Sequence, residues 1–77
     1  MPVEDLDKRF GVIAVEKGFI TPEQLVDALK VQIIEDLEYT DHRLVGEILM
    51  EKEHITEAQI NEVLKSMEQE IKDLNSD

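Results

Sequence analysis

The chain has 77 residues, of which 19 are Asp or Glu and 8 are Lys or Arg, so its formal net charge is −11. This charge argues against a nucleic-acid partner, since affinity for phosphates depends on Lys and Arg, and it argues equally against an anionic membrane surface. The chain contains no Cys, which excludes disulfides and thiolate metal sites. One small domain covering 1–77 is expected, and its core must be aliphatic because only three residues are aromatic.

Apolar residues at helical spacing predict four α-helices, and no segment alternates with the period of a strand. The predicted helices cover residues 3–17, 22–37, 42–53 and 57–74. Their predicted core positions are Leu6, Phe10, Ile13, Ala14, Leu25, Ala28, Leu29, Ile33, Leu44, Val45, Ile48, Leu49, Ile60, Val63, Leu64, Met67, Ile71 and Leu74. Residues 35–43 link the second and third helices, with Thr40 or Asp41 as the predicted N-cap of the third. A disordered tail is expected at 75–77.

The chain contains an internal repeat. When residues 11–30 are aligned with residues 46–65, nine of the twenty positions are identical, where chance would give about one. We interpret the fold as all-α, with two tandem helix-hairpin repeats at a period of about 35 residues. Repeat one covers about 3–37 and repeat two about 42–74. Because one hairpin cannot bury its own apolar face, the two copies are expected to pack together.

Each copy predicts a tight turn before its second helix. Thr21 and Gln24 are spaced as a capping box, in which the two side chains satisfy free backbone N–H groups, and Thr56 and Gln59 repeat the pattern. Pro22 suits the first helical position.

Gly18 is predicted to end the first helix in a left-handed conformation. Its counterpart in the second copy is Glu53. A different helix end is therefore expected in the second copy.

No group of residues predicts catalysis. Ser66 and Ser76 have no His within plausible reach, and no glycine-rich phosphate loop is present. His42 and His54 match no metal-ligand spacing and are interpreted as turn residues. We therefore expect a protein that is not an enzyme and that has no metal or cofactor.

Arg9 and Gln32 are the two polar residues with alternative interpretations. Gln32 continues an apolar stripe, and Met67 takes its place in the second copy, so the position lies on a buried face. Its amide either bonds a backbone carbonyl or reaches a polar ligand in a groove. Arg9 either forms a surface ion pair, with Asp5 for example, or contacts a ligand.

Residues 9–32, RFGVIAVEKGFITPEQLVDALKVQ, resemble the helical motif in the N-terminal domain of type II secretion and type IV pilus assembly ATPases. The matching positions are Arg9, Phe10, Gly11, Ala14, Val15, Gly18, Phe19, Ile20, Leu25, Leu29 and Gln32. In one branch of that family, two tandem motifs bind the bacterial second messenger cyclic di-GMP, and each motif holds half of it. The resemblance implies that Arg9, Phe10, Gly11, Gly18 and Gln32 are ligand-binding residues.

The second copy of the motif has lost its polar groups. It retains Gly46, but Leu44, Glu53 and Met67 stand where the motif has Arg, Gly and Gln. Arg43 comes one position early, which on a helix places it about 100° from the required direction. Half of the bipartite site implied by the resemblance is therefore degenerate.

These observations predict a non-enzymatic protein-interaction or regulatory module, a free-standing version of the ATPase domain. No apolar run is long enough to span a membrane and no signal peptide is evident, so a cytoplasmic bacterial protein without membrane insertion is expected. The expected partner is a secretion, pilus or signalling component. The predicted contact surface includes Val12, Val15, Ile34 and Met50. The alternative is a cyclic di-GMP sensor that uses the intact first motif and dimerises to restore the bipartite site.

Overall fold

The fold consists of four α-helices, as predicted. The computed structural model describes the backbone of residues 3–38 and 43–75 and the side chains of 6–38 and 43–70. Those residues contain no β-strand, which confirms the all-α class. The helices are α1 (Val3–Glu16), α2 (Pro22–Leu37), α3 (Val45–Glu51) and α4 (Glu57–Asn75). The bounds of α1, α2 and α4 agree with the predicted ones to within one residue, and residues 76–77 of the predicted tail lie outside the described part.

Helix α3 is shorter than the predicted helix at 42–53, and neither Thr40 nor Asp41 is its N-cap. The N-cap is Leu44, whose backbone is extended at φ −74° and ψ 153°. The backbone at the start of α3 bonds to other helices: the Arg43 carbonyl accepts from Gln32 Nε2 at 2.9 Å, and the Val45 N–H donates to Asp7 Oδ1 at 2.8 Å. These contacts hold residues 43 and 44 out of helical geometry, so the helix starts later than the apolar pattern predicts.

Both predicted capping boxes are present. In the turn before α2, the Gln24 N–H donates to Thr21 Oγ1 at 3.1 Å, and the Thr21 N–H donates to Gln24 Oε1 at 2.9 Å. The turn before α4 repeats this exchange between Thr56 and Gln59, at 3.2 and 3.0 Å. The two turns therefore have the same local chemistry.

Helices α1 and α3 also end in the same way, which contradicts the prediction for the second copy. Gly18 has φ +78° and Glu53 has φ +62°. After α1, the Phe19 N–H donates to the Ala14 carbonyl at 3.0 Å; after α3, the His54 N–H donates to the Leu49 carbonyl at 2.9 Å. Glu53 thus takes the left-handed conformation that favours glycine, because the backbone bonds of this Schellman-type end require it.

The core forms mainly between the first and second halves of the chain. Helix α2 packs most extensively on α3, and α1 on α4, whereas α1 and α2 share few contacts. The buried apolar residues are Phe10, Ile13, Ala14, Ile20, Ala28, Val45, Ile48, Leu49, Ile55 and Val63. The description of each copy as a helix hairpin remains an interpretation of the sequence.

Three predicted core residues, Ile33, Leu44 and Leu64, are exposed to solvent. Leu44 lies outside α3, and Ile33 lies on the outward face of α2. The side chains of Ile71 and Leu74 lie outside the described residues. Within the described part of the chain, no helix combines the length and apolar character needed to cross a membrane.

Candidate functional site: an apolar groove above helix α1

A groove lies between α3 and α4. Helix α1 packs against both of these helices, whereas α3 and α4 make little direct contact with each other. The resulting cleft has a volume of about 320 Å³ and is floored by α1. Its lining is almost entirely apolar and consists of Leu6, Asp7, Phe10, Leu44, Gly46, Glu47, Met50, Ile60, Leu64 and Met67.

The rim of the groove exposes large apolar side chains. Leu44, Met50 and Leu64 are 43%, 45% and 49% exposed, so nearly half of each side chain faces water. The floor is closely packed by comparison: Phe10 is buried, and a Cβ placed on Gly46 would lie only 3.0 Å from the Phe10 Cζ. The glycine therefore allows α3 to approach the Phe10 ring closely.

Two lining residues mark where the second copy departs from the first. Leu44 and Met67 occupy the repeat positions that Arg9 and Gln32 occupy in the first copy. Both line the groove. Two positions that are polar in the first copy and apolar in the second therefore both contribute to one groove.

Gln32 is engaged inside the protein. Its Nε2 donates to Asp7 Oδ2 and, at 2.9 Å, to the Arg43 carbonyl, as one of the two interpretations of the sequence predicts. Asp7 is 7% exposed, and its other oxygen accepts from the Val45 N–H. Although Asp7 borders the groove, its carboxylate is occupied by two donors, and it joins α1, α2 and the start of α3.

Arg9 is also paired internally, across the contact between α1 and α4. Its Nη2 donates to Glu70 Oε1 at 2.6 Å and its Nε donates to Glu70 Oε2 at 3.2 Å, a bidentate ion pair. This hydrogen bonding raises the pKa of Arg9 and lowers the pKa of the Glu70 carboxyl. The alternative partner named from the sequence, Asp5, has a side chain outside the described residues.

Of the five ligand-binding residues implied by the family resemblance, only Phe10 lines the groove. Gly11 is buried, with the Leu25 side chain filling the space that a Cβ would need. Gly18 lies in the exposed turn after α1. Gly11 therefore allows α1 to pack closely against Leu25, and Gly18 ends α1 in a left-handed conformation.

Arg43 precedes α3, so it does not lie on the helix predicted over 42–53 for which the 100° difference in direction was given. Its Nε and Nη2 bind Glu35 at 3.1 and 2.6 Å, and its Nη1 binds Glu51. These hydrogen bonds raise the pKa of Arg43, and they lower the pKa of Glu35 because the guanidinium favours the ionised carboxylate. The guanidinium thus connects α2 to α3.

His54 and Gln24 connect the two turns. The Gln24 amide nitrogen lies 3.2 Å from His54 Nδ1. Because the Gln24 oxygen already accepts from Thr21, the nitrogen donates and the ring nitrogen accepts. His54 is a half-buried turn residue, as predicted, whereas His42 lies outside the described residues. Among the side chains that are described, no three His, Cys, Asp or Glu lie together as metal ligands would.

A second apolar surface lies on the outer face of α2. Its exposed members are Val26, Ile33, Ile34 and Leu37. Two of the four residues predicted to form a contact surface, Ile34 and Met50, are exposed, whereas Val12 and Val15 are half-buried. The groove, unlike this face of α2, is described by a cavity that exposed apolar side chains line.

Comparison with protein-family models finds no match, and comparisons with curated proteins and with solved structures find no significant match.

The sequence predicts most of the groove residues as core residues, but it does not predict the groove. Leu6, Leu44, Ile60, Leu64 and Met67 were assigned to the core because their spacing fits a helix face. The available signal was the paired replacement of polar residues by Leu44 and Met67, which places apolar side chains where the first copy has an Arg and a Gln.

Proposed function

We propose that this chain is a small protein-interaction module that receives apolar side chains of a partner protein in the groove above α1. The observation that carries the proposal is that Leu44 and Met67, which stand where the first copy has Arg9 and Gln32, both line the groove. A groove lined this way offers almost no hydrogen-bonding groups, so its binding energy comes from burial of apolar surface.

Exposure of the rim supports this function. Leu44, Met50 and Leu64 each leave close to half of their surface in water. A partner that covered them would gain roughly 25 cal/mol for each Å² of apolar surface buried. Met50 and Met67 add adaptability, because unbranched thioether side chains adjust to differently shaped partners.

The polar groups around the groove are already satisfied. The Asp7 carboxylate holds two donors, Arg9 is held by Glu70, and Glu47 Oε1 accepts from the Leu44 N–H at 3.2 Å. A polar ligand that bound Asp7 or Arg9 would have to displace these contacts. An apolar side chain would leave them intact, which favours docking of a protein over binding of a charged small molecule.

Selection of binders from a random peptide library against the full chain tests the proposal. We expect selected peptides to lose at least about tenfold in affinity on Leu64→Gln, because the amide would be desolvated against an apolar surface. Val26→Gln on the outer face of α2 is the matched control, since Val26 is 57% exposed and does not line the groove. The proposal fails if no peptide is selected, or if the selected peptides are insensitive to Leu64→Gln.

A further inference from the structure

The dimensions of the groove define the shape of its occupant. Ile60, Leu64 and Met67 line one wall at the spacing i, i+4 and i+7, so the wall is about 10 Å long at 1.5 Å per residue. A partner helix presents apolar residues over the same length with the same spacing. The groove thus matches two turns of an amphipathic helix laid along α4.

The charge on the surrounding helices defines the polar face of that occupant. The three helices that form the groove carry eleven acidic residues, four on α1, two on α3 and five on α4. Their basic residues are Lys8, Arg9, Lys65 and Lys72, so the three helices carry an excess of seven negative charges. A cationic partner is attracted to such a surface and an anionic one is repelled.

From these two observations we infer that the groove takes a basic amphipathic helix of a partner protein, with its apolar side chains between α3 and α4 and its Lys or Arg residues facing the acids around the groove. This inference rests on the proposed docking function and adds the chemistry of the partner. Two acids line the groove, Asp7 and Glu47. Asp7 is buried and holds Gln32 and the Val45 N–H, so the exposed Glu47 is the acid that faces the occupant.

The test uses three synthetic peptides of about 14 residues, or four helical turns. All three share one apolar Leu face at i, i+4 and i+7 and differ only in the polar face, which is Lys, Gln or Glu. Binding to the full chain is measured by calorimetry at low salt and again at about 1 M salt, where the Debye length is about 3 Å. We expect the Lys-faced peptide to bind at least about tenfold more tightly than the Glu-faced peptide at low salt, and the difference to shrink at high salt.

Two variants separate docking in the groove from general attraction between charges. Leu64→Gln should weaken the Lys-faced peptide about tenfold while Val26→Gln leaves it unchanged. Glu47→Gln keeps an oxygen to accept from the Leu44 N–H but removes the charge, so it should weaken that peptide a few-fold at low salt only. Glu23→Gln, at an exposed position on α2, is its control.

Equal binding of the Gln- or Glu-faced peptide would overturn the basic partner and leave the docking function standing. Binding of the Lys-faced peptide that is insensitive to Leu64→Gln would also overturn it, because charge alone would then explain the association. If none of the three peptides binds while library peptides still bind in the groove, the occupant is not such a helix. Failure of the library selection as well would remove the docking function itself.

Discussion

Asp7 on α1 accepts a hydrogen bond from the backbone N–H of Val45, the first residue of α3, at 2.8 Å. The N-cap residue Leu44 has no side-chain oxygen, so a carboxylate from another helix satisfies this free donor. A negative charge at a helix N-terminus is favourable. A tertiary contact therefore replaces the side-chain cap that Leu44 cannot provide.

Asp7→Ala should destabilise the fold by about 2–3 kcal/mol, because a buried backbone N–H and the Gln32 amide would both lose a charged acceptor. Chemical denaturation followed by circular dichroism measures the change. Asp27→Ala is the control, since Asp27 is 52% exposed and pairs only at the surface with Lys52, and it should cost about 0–1 kcal/mol. Equal losses in the two variants would contradict the role given to Asp7.

Exchange of the two repeat-related residues should have unequal effects. Gln32→Met leaves the Arg43 carbonyl and one Asp7 oxygen without their donor and should cost about 1–3 kcal/mol. Met67→Gln places an amide at an open groove, where water still reaches it, and should cost less than about 1 kcal/mol while weakening peptide binding. Thermal unfolding of both variants provides the comparison, and a larger loss for Met67→Gln would refute the assignment.

Glu53→Gly should stabilise the protein by up to about 1 kcal/mol, because a left-handed residue with a Cβ is strained. The expected rise in Tm is about 4–8 °C per kcal/mol for a domain of this size. Gly18→Ala should have the opposite effect at the matching position of the first copy. An unchanged Tm in both variants would show that the helix ends relax to other conformations.

Glu35 should make the free energy of unfolding depend on pH in the acidic range. Hydrogen bonding to Arg43 lowers its pKa in the folded state, so the unfolded chain binds the proton first as the pH falls below about 4.3, the ordinary Glu value. The stabilisation is complete above that pH and is lost as the pH falls through the lower folded pKa. Unfolding measured between about pH 6 and 2 should be less pH-dependent in Glu35→Gln than in the native chain. Glu23→Gln should retain the native dependence.

Calorimetric titration with cyclic di-GMP should give no binding heat at ligand concentrations up to about 1 mM, because Arg9 and Gln32 are engaged within the fold. A Kd of about 1 mM corresponds to a binding free energy of about −4 kcal/mol. Glu70→Gln, which weakens the hold on Arg9, should not create binding. Binding by the native chain that is lost in Arg9→Ala would favour the sensor over the docking module.

The helices and turns could be predicted from the sequence because their signals are local. The Thr21–Gln24 and Thr56–Gln59 boxes lie within four residues of chain, and the apolar spacing of α2 fixes its bounds. The start of α3 could not be predicted, because it depends on Asp7, 38 residues before Val45. The left-handed Glu53 was missed for a related reason: residue propensity disfavours it, and the backbone bonds around the turn outweigh that propensity.

The candidate site was harder to predict than the fold. Periodicity identifies apolar residues but cannot distinguish a buried stripe from an uncovered one, so Leu44 and Leu64 were assigned to the core. Nor could the sequence show which polar residues are satisfied internally. The Arg9–Glu70 pair joins residues 61 positions apart.

The contact between Asp7, Gln32 and the start of α3 also bears on how the chain unfolds. The Asp7 carboxylate accepts from Gln32 in the first half of the sequence and from Val45 in the second half. The most extensive helix packing, α1 with α4 and α2 with α3, also joins the two halves. Within each half, the two helices share few contacts by comparison. The two halves should therefore melt in a single cooperative transition, and when expressed as separate fragments each should stay unstructured until it meets the other.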